Sequence, residues 1–299
     1  MIKTNRNTKK SATAFAIFAA ALYAINVPLS KLLLVHVETT MMAAFLYLGA
    51  GLGLMLYGVM QKISGTAEKQ EPLTKKELPY TIGMVVLDIL APIFLMLGIA
   101  RTNSANVSLL NNFEIVATSL IALVIFKEKI SKLLWTAIVL VVVASVILSF
   151  EGNGAFVFNE GSLFVLAASV CWGPENNCTN KISHKSAKEI VVIKGCFSGL
   201  GSLIIAFVVG ESFPELKWML LVLLLGFVSY GLSINFYIRA QCSLGAAKTS
   251  AFYSVAPFLG VAFGMVLLRE RPGVRFYIGL LIMVVSTVLM VKDTLKEEA

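Results

Sequence analysis

The sequence is short of charge, of histidine and of paired cysteine. Charged residues make up 14% of its 299 residues, against 58% hydrophobic. Soluble domains carry roughly 25% charged residues, so a water-facing globule is excluded for want of polar surface. His36 and His184 fall in or beside connecting segments. Cys171, Cys178, Cys196 and Cys242 lie within or at the edge of apolar runs, and no C-x-x-C occurs. Zinc spacings are therefore missing, and buried thiols are the expected role. H-E-x-x-H, G-x-S-x-G and G-x-x-x-x-G-K-[ST] are missing too. Metal-dependent hydrolysis, serine chemistry and ATP-driven pumping lack their residues, so neither cofactor nor metal is expected.

The net charge is +8. A nucleic-acid-binding protein would gather its Lys and Arg into a patch. Here they fall in the short connectors between apolar runs, where they report topology. No nucleic-acid partner is expected.

What the chain has in abundance is continuous apolar sequence. Ten runs stand at 13–35, 39–61, 77–100, 103–126, 132–150, 160–182, 188–210, 216–238, 244–268 and 273–292. Each is long enough to cross a hydrocarbon core of about 30 Å as a helix. They lack the alternation of a membrane barrel, so strands are not expected. The predicted fold is all-α, a polytopic membrane protein of ten transmembrane helices, with the lipid bilayer as its surroundings. The one sizeable polar connector is Gln61 to Glu77, and no extramembrane domain fits anywhere.

With the N-terminus inside, most Lys and Arg fall on the inner side, Lys181, Lys185, Lys188, Lys194 and Lys248 among them. Lys31, Arg101, Lys217, Arg269, Arg271 and Arg275 fall outside, and "RERPGVR" is a local violation. The bias predicts a multi-pass protein of the plasma membrane with both termini cytoplasmic.

The chain also repeats itself. An offset of 142 places Glu128 on Glu270 and the fifth span on the tenth. An offset of 149 places Tyr23 on Trp172, Asn26 on Glu175 and Ser30 on Thr179. The halves are 14–150 and 160–292, with five spans each. An odd number of spans inserts the second copy upside down, and inverted repeats place a site between them near the midplane. The basic "KTNRNTKK" before "AFAIFAAALYA" has the make-up of a signal peptide. Its match to the sixth span makes the first span part of the fold.

Two five-span halves, each opening on an aromatic-small pair (Tyr23-Ala24, Trp172-Gly173), resemble the EamA-type drug/metabolite transporter superfamily. So do "IFKEK" and "LLRER" at the ends of the fourth and ninth spans, and the proline in "SVAPFLG". The resemblance covers about 14–292. It implies transport of a small molecule, with export of amino acids, other metabolites or drugs as the family's range. The chain departs from the pattern in Ile115, opposite Pro257, and in the polarity of "PENN".

The site candidates are the polar residues inside the oil. Trp172, Glu175, Asn176 and Thr179 share one helix face, and Tyr23, Asn26, Val27 and Ser30 form the same face in the first span. Pro174 and Pro28 each leave a backbone carbonyl without its helical partner, those of Val170 and Ala24. Such carbonyls are tolerated where they line a cavity or pack against protein. These two spans are expected to face one another across a central cavity. A bare carboxylate facing hydrocarbon costs about 3 kcal/mol or more. Glu175 is therefore expected to face a wet cavity, carry a proton, pair with a cation, or act as a hydrogen-bonded strut. Ser104, Ser108, Asn111 and Thr118 form a second stripe with Glu114 at its flank, and Asn112 points away from it. Asp88 lies mid-way in the third span, four residues before Pro92. Asn235, Tyr230 and Tyr253 complete the set, and Lys248 reads as snorkelling. The mixture of aromatic rings and carboxylates suits a zwitterionic amino acid or a small organic cation, with protons as candidate coupling ion. A channel, a scaffold and an intramembrane enzyme are the competing classes. The G-x-x-x-G runs "GAGLG" (Gly49 to Gly53) and "GCFSG" (Gly195 to Gly199) predict close internal helix packing. They leave the oligomeric state open.

Overall fold

A computed structural model of the chain describes residues 6–66, 70–127, 130–151, 157–244, 249 and 252–296. Eight helical segments are long and apolar enough to cross a membrane: Ser11–Leu33, Thr39–Ile63, Lys75–Arg101, Ser104–Ile125, Lys132–Ser149, Ala187–Val208, Leu216–Ala240 and Val274–Asp293. The more polar Glu160–Ile182 and the shorter Ala256–Leu267 bring the spans to ten. They are numbered one to ten in chain order. A two-residue antiparallel pairing, Phe150 with Phe158 and Glu151 with Val157, closes the connector between the halves. It is the exception to the expectation of no strands.

The packing of the spans shows the repeat. Span 1 packs on span 8, and span 6 packs on span 3. Exchanging each span for its counterpart five places on turns one of these interfaces into the other. Spans 2 and 7, 5 and 10, and 4 and 9 each pack against their own counterpart. That is the contact pattern of a two-fold relation. With five spans per half, the halves run in opposite senses through the membrane, as two inverted five-helix repeats.

Glycine sets the closest of these contacts. A Cβ on Gly51 would lie 2.6 Å from the backbone nitrogen of Cys196, and one on Gly195 would lie 2.6 Å from the Cα of Gly51. The two G-x-x-x-G runs thus pack on one another, span 2 on span 7, and serve the inside of the molecule. Their backbones approach because nothing projects between them.

Three spans are broken near mid-depth. Span 1 ends its first helix at Ala24 and resumes at Asn26. Ala24 is the residue four before Pro28, so the break lies where that proline removes a donor. Span 4 breaks at Asn111-Asn112, between Ser104–Leu110 and Phe113–Phe126. Span 9 turns at Ser254-Val255, ahead of Ala256 and Pro257. Span 6, by contrast, keeps its helix unbroken through Pro174. Span 8 is wound as a π-helix over Phe227–Leu232, a distortion that often marks functional positions.

The ends on the side of the connectors after spans 1, 3, 5, 7 and 9 are clamped. Glu270 accepts hydrogen bonds from the backbone N–H groups of Ser104 and Ala105 at 2.8 and 2.9 Å. Glu211 does the same for Thr40 and Met41 at the start of span 2. Lys31 donates to the carbonyls of Ile99 and Thr102 where span 3 ends. Carboxylates at helix starts and an ammonium at a helix end complement the helix dipoles. Lys31 therefore has a local structural reason to sit on the side poor in basic residues.

Candidate substrate and coupling site

The centre of the fold holds a buried ion triad. Lys194 of span 7 places its Nζ 3.0 Å from Oδ2 of Asp88 on span 3 and 2.9 Å from Oε1 of Glu175 on span 6. Asp88 is 0%, Glu175 1% and Lys194 6% exposed, so all three charges are withdrawn from water. Lys194 donates a hydrogen bond to Glu175. Its contact with Asp88 Oδ2 has no hydrogen bond of good angle and is held by charge. The placement of Lys194 corrects the sequence reading, which counted it among the inner basic residues. It stands inside the helix Ala187–Val208, paired and buried.

Two neutral donors hold the far side of Asp88. The Tyr47 hydroxyl donates to Oδ1 at 2.9 Å and the Trp172 indole N–H at 3.2 Å. Thr179 donates to Glu175 from the next turn of the same helix. The sequence-level face of span 6 thus gathers as expected, with Trp172, Glu175 and Thr179 at one locus. Asn176, beside them, turns to span 4 and donates to Glu114. Its neighbour Asn177 donates to the carbonyls of Thr118 and Gly173.

The corresponding residues of span 1 form a second cluster. Asn26 donates to the Tyr230 hydroxyl at 3.2 Å and accepts from Ser30 at 3.1 Å. Tyr230 sits in the π-helical turn and packs edge-on to Tyr23, with ring centres 5.8 Å apart. Tyr23 lies 5.9 Å from Tyr253, and Tyr253 lies 4.9 Å from Tyr237. Tyr47 packs 5.1 Å from Tyr230, which joins the two clusters. Spans 1 and 6 were expected to face one another across a central cavity; they do not pack on one another directly. The main packing of span 1 is on span 8 and that of span 6 on spans 3 and 4. Large tyrosines, Tyr47 and Tyr230, fill the place between them.

A small cavity of about 10 Å³ lies where the breaks of spans 1, 4 and 9 converge, lined by Tyr23, Ala24, Val27, Ser108, Asn111 and Pro257. It has room for about one water. Asn111 is 8% exposed, and its Oδ1 has no hydrogen-bond partner among the described residues. Ser108 donates to the carbonyl of Ser104. Asn235 is buried, also with an unpartnered Oδ1. Asn112 points to span 10, where its amide lies 3.9 Å from the sulfur of Met283. Lys248 and Glu128 lie outside the described residues. Among the described residues no group of His, Cys, Asp and Glu could hold a metal ion.

Sequence reasoning missed Lys194 and Tyr47. The signal for Lys194 was a charge several residues inside an apolar run, "VVIKGCFSG", deeper than the connector that holds Lys185 and Lys188.

A ten-helix inverted repeat with polar, broken helices at its centre is a transporter architecture. The model of the EamA-like transporter family matches residues 10–150 and 159–292. The chain belongs to the EamA-like transporter family. It is similar to a protein of Methanothermobacter thermautotrophicus described as an uncharacterized transporter. That relative is 24% identical over 272 residues, covering 85% of this chain and 78% of the relative. A solved structure, described only as "Crystal structure of protein", superposes with a TM-score of 0.69 at 15% identity. The match covers 97% of this chain and 99% of the other, and it concerns the fold alone. The protein is accordingly a multi-pass membrane transporter.

Proposed function

We propose that this membrane transporter is a secondary exporter of small metabolites bearing an ammonium group, such as amino acids or organic cations. It works by alternating access between the units 14–150 and 160–292, in the plasma membrane with both termini cytoplasmic. The observation that carries the reading is the triad of Asp88, Lys194 and Glu175. Two carboxylates share one ammonium there, so the locus keeps one net negative charge in a medium where charge is costly. A proton or a substrate cation would cancel it. Spans 3 and 6 come from opposite halves, so movement of one half against the other would change the distance between Asp88 and Glu175.

Glu175 is assigned the coupling role, with Asp88 and Lys194 as its partners. Trp172, Thr179, Asn176, Tyr23, Asn26, Ser30, Ser108, Asn111, Glu114, Asn235 and Tyr253 are assigned to the walls of the path. Both ends of the molecule carry clamps, Glu270 on Ser104 and Ala105 at one and Glu189 on the Leu73 N–H at the other. With so small a central cavity, this geometry fits an occluded state. Profiling of compounds outside cells that overexpress the chain, followed by flux of each hit into proteoliposomes, tests the reading. Export of ammonium-bearing compounds is expected. Loss of every flux in liposomes that contain folded protein would overturn it.

A further inference from the structure

Among the described residues, Glu114 is a carboxylate near the centre with no lysine or arginine paired to it. Lys194 serves Asp88 and Glu175. Among the described residues no lysine or arginine comes within ion-pair distance of Glu114. Its partner is the neutral amide of Asn176. It stays half-buried, so its charge is not fully in water.

Glu114 also stands beside the cavity at the three helix breaks, which has room for about one water here and would have to widen to admit a ligand. It follows the break of span 4 by one turn, its N–H bonded to the carbonyl of Asn111. Asn111 lines the cavity at the three helix breaks, with a buried acceptor oxygen that receives no donor. A buried acceptor left unmade costs about 1–3 kcal/mol, and a ligand N–H would satisfy it. Tyr23 lines the same cavity, its ring 5.9 Å from that of Tyr253, and Asn111, one helical turn before Glu114, lines it too. Aromatic faces attract organic cations. Charge, orphan acceptor and rings all ask for the same group.

We infer that Glu114, Asn111 and the Tyr23–Tyr253 pair form an ammonium-binding subsite distinct from the triad, and that it takes the cationic head of the substrate. The inference rests on the transport reading above but assigns binding to a different carboxylate from the one assigned to coupling. The ligand class is a small primary or substituted ammonium with a flat or apolar body. The triad would then carry no substrate contact in the state described, because Lys194 already fills the cationic position there.

The test uses the full chain and a defined probe, benzylammonium, with benzyl alcohol as its uncharged counterpart. Binding is read as a rise in melting temperature of detergent-purified protein, titrated to an apparent Kd. The wild type is expected to respond to benzylammonium and not to the alcohol. Glu114→Gln keeps an acceptor for Asn176 and should melt as the wild type does without probe. Its affinity for benzylammonium should be about tenfold to a hundredfold weaker, as expected for loss of a charge-assisted contact. Asn111→Ala should weaken binding several-fold. Should the Gln variant fail to fold, Glu114→Asp retains the charge and withdraws it by one methylene, and it should bind the probe more weakly than wild type. Equal affinity in Glu114→Gln, or an equal response to benzyl alcohol, would overturn the subsite. So would a wild type indifferent to both probes. Flux of labelled benzylammonium into liposomes separates the two claims. Flux that survives Glu114→Gln overturns the subsite and leaves transport standing. Binding that depends on Glu114 without any flux supports the subsite and overturns transport.

Discussion

Lys194 and Asp88 come from opposite halves of the repeat, yet their charged atoms meet at 3.0 Å in the buried interior of the fold. A second carboxylate, Glu175, holds the same ammonium at 2.9 Å. Two anions and one cation share a dry site, and this arithmetic of charge organises what can be tested.

Removing the cation should hurt more than removing either anion. Lys194→Met leaves two buried carboxylates unpaired, and breaking a buried pair costs about 3–5 kcal/mol. Asp88→Asn leaves a neutral Lys194–Glu175 pair and should cost much less. Combining Lys194→Met, Asp88→Asn and Glu175→Gln removes all charge and should recover much of the loss. Melting temperatures in one detergent rank the variants. A Lys194→Met protein as stable as Asp88→Asn would show that the ammonium is dispensable.

The packing of span 2 on span 7 predicts a sharp contrast between glycines. Gly195→Ala puts a methyl 2.6 Å from the Cα of Gly51. Backbone cannot yield as a side-chain tip can, so a cost of about 1–3 kcal/mol is expected. A methyl added at Gly58 would meet nothing within 4 Å. Gly58→Ala should be neutral or slightly stabilising, since alanine favours helix. Thermal unfolding of the two variants side by side decides it.

Much of the fold was legible in the sequence. Long apolar runs fix helices, because a lipid-exposed backbone must bond within itself, and the odd span count fixes inversion. The break of span 1 at Ala24 lay four residues before a visible proline. What could not be read was pairing at a distance. Nothing local in "VVIKGCFSG" says that Lys194 reaches two carboxylates on other spans, and a lysine near a span end reads as a topology mark. For the same reason, Asn26 and Glu175 were expected to look at one another. The two tyrosines that stand between them, Tyr47 and Tyr230, come from other spans, the second and the eighth.

Topology follows from the basic residues. Reporter fusions at Gly65 and Ala299 should both give cytoplasmic signals. An external signal at Ala299 would contradict an even number of spans with the N-terminus inside.

The clamp at Glu270 predicts a gate. Its carboxylate takes the two backbone N–H groups that open span 4. Glu270→Ala leaves both donors without this acceptor, at about 1–3 kcal/mol. It should therefore favour opening on that side. In a Ser108→Cys background, labelling by a membrane-impermeant thiol reagent from outside the cell should speed up with Glu270→Ala. Unchanged labelling would mean the clamp does not govern access.

Glu175 carries the remaining prediction. Its carboxylate faces Lys194 on span 7 and Thr179 on its own helix, with Asp88, held by Tyr47 and Trp172, across the shared ammonium. Without the charge of Glu175, the triad would pass from one net negative charge to none, and Lys194 would be left to Asp88 alone. Loss of one ionic tie between span 6 and span 7 then loosens the centre, which is what a coupling step requires. Glu175→Gln removes that charge with little change of shape. The protein should insert at wild-type level, because Lys194 keeps Asp88 as partner. Its transport should fall, or should respond to pH differently from that of the wild type. The measurement is flux into liposomes under matched and opposed pH gradients, normalised to protein. Wild-type flux with a wild-type pH response in Glu175→Gln would remove Glu175 from coupling and leave it as a strut between spans 6 and 7.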